Sequence, residues 1–294
     1  MRSSRVRAGF QTRAQVTRSM ELRDLTTLDD FRRVVELEKV IWGVDYTDVV
    51  SVPILAVTVK RGGVLIGAFD NDRLIAFVYS LAGIKEGRPI QWSHMLGVVN
   101  EYRKAGLGRR LKLAQRLRTL DLGCDLIEWT YDPLQAINAH LNLARLGVVV
   151  EEYAVNMYGE STSPLHRGTP TDRFVAQWWI RRPHVERRID TRSLPVIRTH
   201  EVAEAPLVNR TTRAGAWLRC ESYDLARSER RLSVEIPVGF ADMQQQEPHL
   251  ALAWRMATRE IFTTYFARGY RAVDFALDRE RGRGQYLLAL QERT

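Results

Sequence analysis

Two glycines set two positions apart, Gly106 and Gly108, stand in the run Arg103-Lys104-Ala105-Gly106-Leu107-Gly108-Arg109. Ahead of it Ile90, Trp92, His94, Leu96 and Val98 alternate with period two, and behind it Leu111, Leu113, Ala114, Leu117 and Leu120 recur at helical spacing. The pattern predicts a turn from strand to helix. Free N–H groups at a helix start, unshielded by a Cβ at either glycine, form a pocket for phosphate. Arg109, Arg110 and Lys112 add positive charge to the first turn, where the helix dipole is already positive, so a docked anion would relieve the conflict. Short Gly-x-Gly turns also serve as plain tight connections, and the glycines alone do not decide between the two readings.

The segment Val98 to Gly108 resembles the acyl-CoA signature of the GNAT acyltransferase superfamily, an Arg or Gln followed by x-x-Gly-x-Gly/Ala, with Arg103, Gly106 and Gly108 as outright matches. The resemblance implies that the loop of Arg103, Lys104, Ala105, Gly106, Leu107, Gly108 and Arg109 holds the pyrophosphate of coenzyme A. It also implies that backbone groups of Leu96 and Val98 pair with pantetheine, and that a bulge near Gly97 opens the sheet to the thioester. Acetyl-CoA is the default donor, with succinyl-CoA or another short acyl-CoA open, because the signature recognises the CoA moiety. This is not the dinucleotide fingerprint: only two glycines are present, and no acidic residue ends a following strand at the required distance. Farther on, Asn138-Ala139 followed by Leu146-Gly147-Val148 looks like the family's Asn-Ala helix ending in Gly-Phe, which brings Asn138 into the cofactor-binding set. One departure stands out. The tyrosine that the family places four residues before that glycine, often the acid for the leaving thiolate, is Leu143 here. Either the thiolate leaves unaided, another group serves, or this lobe has lost part of its chemistry.

Moving an acyl group onto an amine needs a held thioester, an amine made neutral, and stabilisation of the oxyanion. His94, four residues before Val98 on the strand that would flank the thioester, is the first candidate base; it stands in the register of a catalytic strand histidine in the serotonin N-acetyltransferase branch. A core histidine bonded to backbone is the competing reading. Glu128, on the next strand, is the second candidate: pointing inward it would have a raised pKa and accept a proton, pointing outward it would only be solvated. Amides at the bulge would serve the oxyanion. His166, in a loop rich in Gly, Ser, Thr and Pro, is read as solvated.

The elements that must position these groups follow from patterning. Glu21 to Leu25 reads as a short strand, and Thr27 with Asp29 and Asp30 as the capped start of a helix carrying Phe31, Val34, Val35, Leu37, Val40 and Ile41. Asp48 to Lys60 is a second helix candidate that tolerates Pro53 in its first turn. Val64 to Phe69 and Leu74 to Ser80 read as a hairpin, Cys124 to Tyr131 as a strand, Ala136 to Leu146 as a helix closed by Gly147, then strands from Val148 and from Phe174. After about Pro183 the first half is echoed: Gly123, Leu126 to Trp129 and Asp132 recur as Gly269, Ala272 to Phe275 and Asp278, with strand Leu232 to Ile236 and an aromatic helix before them. Where the glycine loop would fall, the second half reads His249 to Trp254, without a glycine. The expectation is a degenerate lobe that completes the first, with chance similarity as the alternative.

Composition sets the outer bounds. The 294 residues with 45% hydrophobic content suffice for one large domain or two small ones. Cys124 and Cys220 are the only cysteines, which points to a reduced cytoplasm and not to a disulfide scaffold. Net charge is +9, but the first nineteen residues carry five arginines and no acid, leaving +4 elsewhere, so nucleic acid is not the expected partner. That segment reads as a disordered basic tail or an upstream start, with Met20 opening the fold; a transit peptide would need a clearer apolar face. No apolar run is long enough for a membrane span, and the six histidines and two cysteines lack paired metal-ligand spacing. No Gly-x-Ser-x-Gly elbow occurs. Trp178-Trp179 and the aromatic helix are candidates for a homodimer surface, with core packing as the default.

These readings imply an α+β protein, a mixed and mostly antiparallel GNAT-like sheet flanked by helices, divided into a tail at 1–19, an acyl-CoA-binding domain at 20–182 and a degenerate GNAT-like lobe at 183–294. They imply a CoA-dependent N-acyltransferase acting on a small amine or amino acid, without a metal, with a non-catalytic acyl-CoA-binding or sensing protein as the alternative.

Overall fold

The computed structural model describes residues 20–44, 46–103, 105–159, 169–190 and 199–291. The basic tail, Lys104 and His166 lie outside them. Thr27 opens helix α1 (Leu28–Trp42) with a capping box: its hydroxyl accepts the Asp30 N–H, and the Asp30 carboxylate accepts the Thr27 N–H. Arg23 and these amides hold the Asp30 carboxyl down at about 2 against the opposing effect of burial. Helix α2 (Val52–Lys60) starts four residues later than the expected 48, with Ser51 as its N-cap and Pro53 in its first turn. The reason lies in α1. Buried Glu38 accepts the Val50 N–H at 2.9 Å, which ties the residues just before α2 to α1 instead of to a helix of their own.

Strands β1 (Glu21–Asp24), β2 (Val64–Asp70), β3 (Arg73–Lys85) and β4 (Arg88–Val98) form an antiparallel meander. From β4 the chain crosses through helix α3 (Leu107–Asp121) to β5 (Leu126–Tyr131), which pairs with β4 in parallel. A short helix α4 (Ala136–Ala139) continues as a π-helical stretch, His140–Leu146, where a plain α-helix is expected, and Gly147 at φ 73° closes it. Strands β6 (Val149–Ala154) and β7 (Arg173–Trp179) then add on in the order β5-β7-β6.

The second half joins the same sheet. After helices α5 (Pro183–Ile189) and α6 (Thr199–Glu204), β8 (Asn209–Ala214) and β9 (Trp217–Tyr223) make a separate two-stranded sheet. Strand β10 (Arg231–Pro237), helices α7 (Phe240–Gln246) and α8 (Pro248–Ala267), and strands β11 (Tyr270–Asp278) and β12 (Arg283–Leu290) complete the described chain. β11 pairs with β6, giving ten strands in the order β1-β2-β3-β4-β5-β7-β6-β11-β12-β10. The echo of strand, helix and strand is present as β10, α8 and β11, but β12 lies between those two strands, whereas β4 and β5 are direct neighbours. No helix among the described residues is long and apolar enough to cross a membrane.

One apolar core runs through both halves: Phe174 meets Phe262 at 4.7 Å and Tyr286 at 5.5 Å between ring centroids. Trp178 belongs to this core and donates from its indole nitrogen to the Leu146 carbonyl, so it follows the core reading and not the surface one. Ion pairs cross the same junction. Asp132, at the end of β5, takes two hydrogen bonds from buried Arg255 of α8 at 2.8 and 2.6 Å. Asp172 takes two from Arg259, and Glu151 of β6 pairs with Arg271 of β11 at 2.6 Å. Asp132→Ala should strand the Arg255 charge in the core and lower unfolding stability by about 3–5 kcal/mol in urea titrations, while Asp132→Leu with Arg255→Met should recover most of it. A loss within experimental error for Asp132→Ala would show that the two halves do not depend on this pair. A second expectation concerns Glu38, whose carboxyl is pushed up to about 7 by burial, only partly opposed by the Val50 N–H. Because the folded value exceeds the unfolded one, its contribution is full below about pH 4.5 and is lost as pH rises through about 7. Glu38→Gln should therefore raise stability at pH 8 by on the order of 2 kcal/mol and flatten the decline between pH 5 and 8. An unaltered thermal midpoint at pH 8 would contradict this.

Candidate functional site

The glycine loop is built by β4 and finished by α3. Val99 N–H donates to the Ile75 carbonyl, Asn100–Tyr102 make one tight turn, and the Tyr102 hydroxyl donates to Asp70. Arg103 donates from Nε back to the Val98 carbonyl at 3.2 Å, so its side chain braces the end of β4. Gly106 takes the left-handed conformation, φ 75° and ψ 6°, that a glycine adopts without strain. No side chain caps α3 and its first turn holds no acid, which leaves the opening amides to an external acceptor. A Cβ at Gly106 would meet nothing within 4 Å, and one at Gly108 only Leu96 Cδ2 at 3.7 Å. Internal packing therefore does not require a glycine at 108, and at 106 the left-handed backbone does; the cradle above them at the helix start is open.

The three basic side chains do not all face that cradle, contrary to expectation. Lys112 turns inward and is buried. Arg110 donates to the Met20 carbonyl at 2.8 Å, and Arg109 to the Ile189 carbonyl at 2.9 Å. Burial and then the neighbouring charge of Arg145 lower the Arg109 pKa, so two like charges share this end of α3, a pairing that an anion would relieve.

The cradle adjoins an opening in the sheet. β4 and β5 are in register only at Gln91 with Ile127 and Trp92 with Glu128; beyond them β4 continues through Ser93–Val98, including Leu96 and Val98, without registered partners on β5. A bulge marks the parting, but not at Gly97. Tyr79 pairs with Met95 and Ser80 with Ser93, so His94 is the additional residue. Gly97 instead pairs regularly with Phe77, and a Cβ there would come to 2.7 Å of Ile41 Cδ1. Its smallness lets the end of α1 settle on the sheet.

His94 stands at the mouth of the opening. The residue has exposed surface, its ring meets Tyr79 edge-on at 6.0 Å, and burial of the ring side against the protein lowers its pKa from the ordinary imidazole value. Thr130, two residues beyond Glu128 on β5, shares a hydrogen bond of 2.8 Å with Tyr158. Tyr158 in turn lies within electrostatic reach of Tyr46, whose hydroxyl is pushed up to about 12 by burial and by Asp48, Glu38 and Tyr158. Tyr46 belongs to the segment before α2 and Tyr158 to the segment after β6. Of the two orientations open to Glu128, the structure has the buried one, and there the carboxylate is paired with Lys85.

The second set of expected residues divides. Asn138 is exposed on α4, where a ligand can reach it, whereas Leu143 is wholly buried in the core and offers no proton. Ala105 is exposed and Leu107 packs inward, anchoring the loop on the sheet. Glu38 and Lys112 escaped notice as buried groups. The signal for Glu38 was a charge on the apolar stripe of α1, four residues after Val34 and three before Ile41.

No family model matches the sequence, and no curated protein matches it. Solved structures with similar folds include the NatC complex bound to Gag peptide and CoA, 14% identical, TM-score 0.45, covering 55% of this chain and 98% of that one. An acetyltransferase of the GNAT family from Streptococcus pneumoniae is 15% identical, TM-score 0.44, over 54% of this chain and 98% of its own. The ribosomal-protein-S18-alanine N-acetyltransferase from Escherichia coli is 15% identical, TM-score 0.42, over 54% and 92%. Each of these likenesses spans about half of this chain, the half that holds the four-stranded meander, the parallel β4–β5 pair and the glycine loop on α3 being the part described above.

Proposed function

We propose that the chain is an N-acyltransferase that moves a short acyl group from acyl-CoA to the amine of a small molecule or amino acid. The observation that carries this reading is the coincidence of two openings: the uncapped, glycine-lined start of α3 and the parting of β4 from β5 at His94. When bound, acyl-CoA supplies the activated thioester. Gly106 to Arg109 would hold its diphosphate, Arg109 and Arg145 would balance the charge, and the edge of β4 at Leu96 and Val98, which has no registered partner on β5, would align its arm. His94, neutral and open to solvent, takes the proton from the incoming ammonium at one of its ring nitrogens. Tyr46, held as a neutral phenol, and Tyr158, hydrogen-bonded to Thr130, orient the acceptor. The cytoplasm is the proposed setting.

Leu143 favours a second reading, a protein that binds acyl-CoA without turnover, because no acid for the thiolate stands on that turn. Release of CoA thiol on addition of a panel of amines separates the two. The loop itself is tested by Gly108→Asp, which sets an anion against the cradle: CoA affinity should fall by more than a hundredfold, or about 3 kcal/mol, with the fold intact by circular dichroism. Unchanged affinity would sink the assignment. Only one site is expected per chain, because the start of α8 is preceded by Glu247, not by a glycine loop, and calorimetry should give a stoichiometry of one. For the base, His94→Ala should leave CoA affinity nearly intact while lowering turnover by about two to four orders of magnitude, and the acid limb of the pH profile, expected below 6.5, should vanish. Normal turnover with that limb retained would transfer the role to another group.

A further inference from the structure

Lys112 is 4% exposed and belongs to no ion pair among the described residues. Its Nζ donates to Ser93 Oγ at 2.8 Å and to Gln115 Oε1 at 3.2 Å, and lies 3.6 Å from the centre of the Trp129 ring. Gln115 donates to the same Ser93 oxygen at 3.0 Å. Ser93 and Trp129 are the residues directly after the last registered pair of β4 and β5, so the amine sits at the apex where the strands part, on the face that α3 covers. Glu128, one residue earlier on β5, projects to the other face by strand alternation and is engaged with Lys85.

Among the described residues the groups bonded to the amine are therefore neutral, and burial pushes its pKa far down. A cation without a counter-charge is costly in such a place, and a lysine can shed its proton where an arginine cannot. The choice is telling in this chain, which has 39 arginines and only five lysines: Lys39, Lys60, Lys85, Lys104 and Lys112. A proton-shedding side chain has been set at the inner end of the opening, with two neutral hydrogen-bonding groups beside it and no carboxylate.

We infer that Lys112, with Ser93 and Gln115, forms the end wall of the acyl pocket and selects a donor whose acyl group carries its own carboxylate, as succinyl-CoA does. The inference rests on the acyl-CoA reading above and narrows its donor. A carboxylate arriving at the apex supplies the missing counter-charge, and the amine takes a proton to form a buried, hydrogen-bonded ion pair. An acetyl group offers no such partner and leaves the amine as it is. The discrimination comes from the charge-assisted hydrogen bond that the carboxylate gains and the acetyl group cannot make.

The test is calorimetric titration of the full chain with CoA, acetyl-CoA and succinyl-CoA at pH 8, in two buffers of different ionisation enthalpy. Succinyl-CoA should bind at least about tenfold tighter than acetyl-CoA and take up close to one proton. Lys112→Met, and Lys112→Gln as a variant that keeps a polar group, should bind CoA and acetyl-CoA as the parent does while losing the preference and the proton uptake. Equal affinity of the parent for the two thioesters, or a preference that survives in a folded variant, overturns the inference and leaves acyl-CoA binding standing. Failure of all three ligands to bind removes both.

Discussion

The structure depends on β4 and β5 pairing for two residues and then separating. In a closed sheet the edge of β4 from Ser93 to Val98 would be spent on its neighbour; here it has no registered partner on β5, and at its end the Val98 carbonyl is taken by Arg103. Three features mark the place where the strands part. The extra residue at His94 bends and twists β4 away, Lys112 and Trp129 fill the apex from the α3 side, and the Glu128–Lys85 pair occupies the opposite side. The same crossover that lets two strands run parallel also delivers the start of α3 to the rim of the gap, so the anion cradle and the opening come from a single stretch of chain.

The second half of the chain is joined to this arrangement by charge as well as by apolar packing. α8 sends Arg255 to Asp132 at the end of β5 and Arg259 to Asp172 at the start of β7, and Gln244 of α7 donates to Thr169 at 2.7 Å. These bonds hold the segment that bears Tyr158 and Arg173, the latter stacked 5.5 Å over the Tyr158 ring. That segment is thereby braced from the second half. The segment before α2 is braced from α1, where Glu38 holds Val50 and the strand-facing glycine Gly97 lets Trp42 and Ile41 close on β4.

Much of this was legible in the sequence, because local rules and the fold agree. The capping box at Thr27, the hairpin around Asn71, the glycine turn and the closure at Gly147 each follow from residues within a few positions of one another. What was not legible depends on partners far apart in the chain. The bulge belongs to His94 rather than Gly97 because it is set by the register against β3, and no property of residues 94–97 alone records that register. Lys112 reads as a solvated first-turn cation until β4 and β5 supply Ser93 and Trp129, and Glu128 reads as a free acid until Lys85 arrives from the far end of β3. The late start of α2 has the same origin, since a carboxylate twelve residues away claims the Val50 amide. The insertion of β12 between β10 and β11 could not be seen in an echo of apolar spacing, which carries no information on strand order.

The central claim, that the gap between β4 and β5 together with the start of α3 receives acyl-CoA, is tested most directly by hydrogen exchange of the backbone amides with and without acetyl-CoA. The account predicts that exchange slows at the β4 edge from Ser93 to Val98 and at Gly106 to Arg109, with little change in β10 to β12. Protection confined to the second half, or unchanged exchange at both of the named segments at saturating ligand, would contradict it.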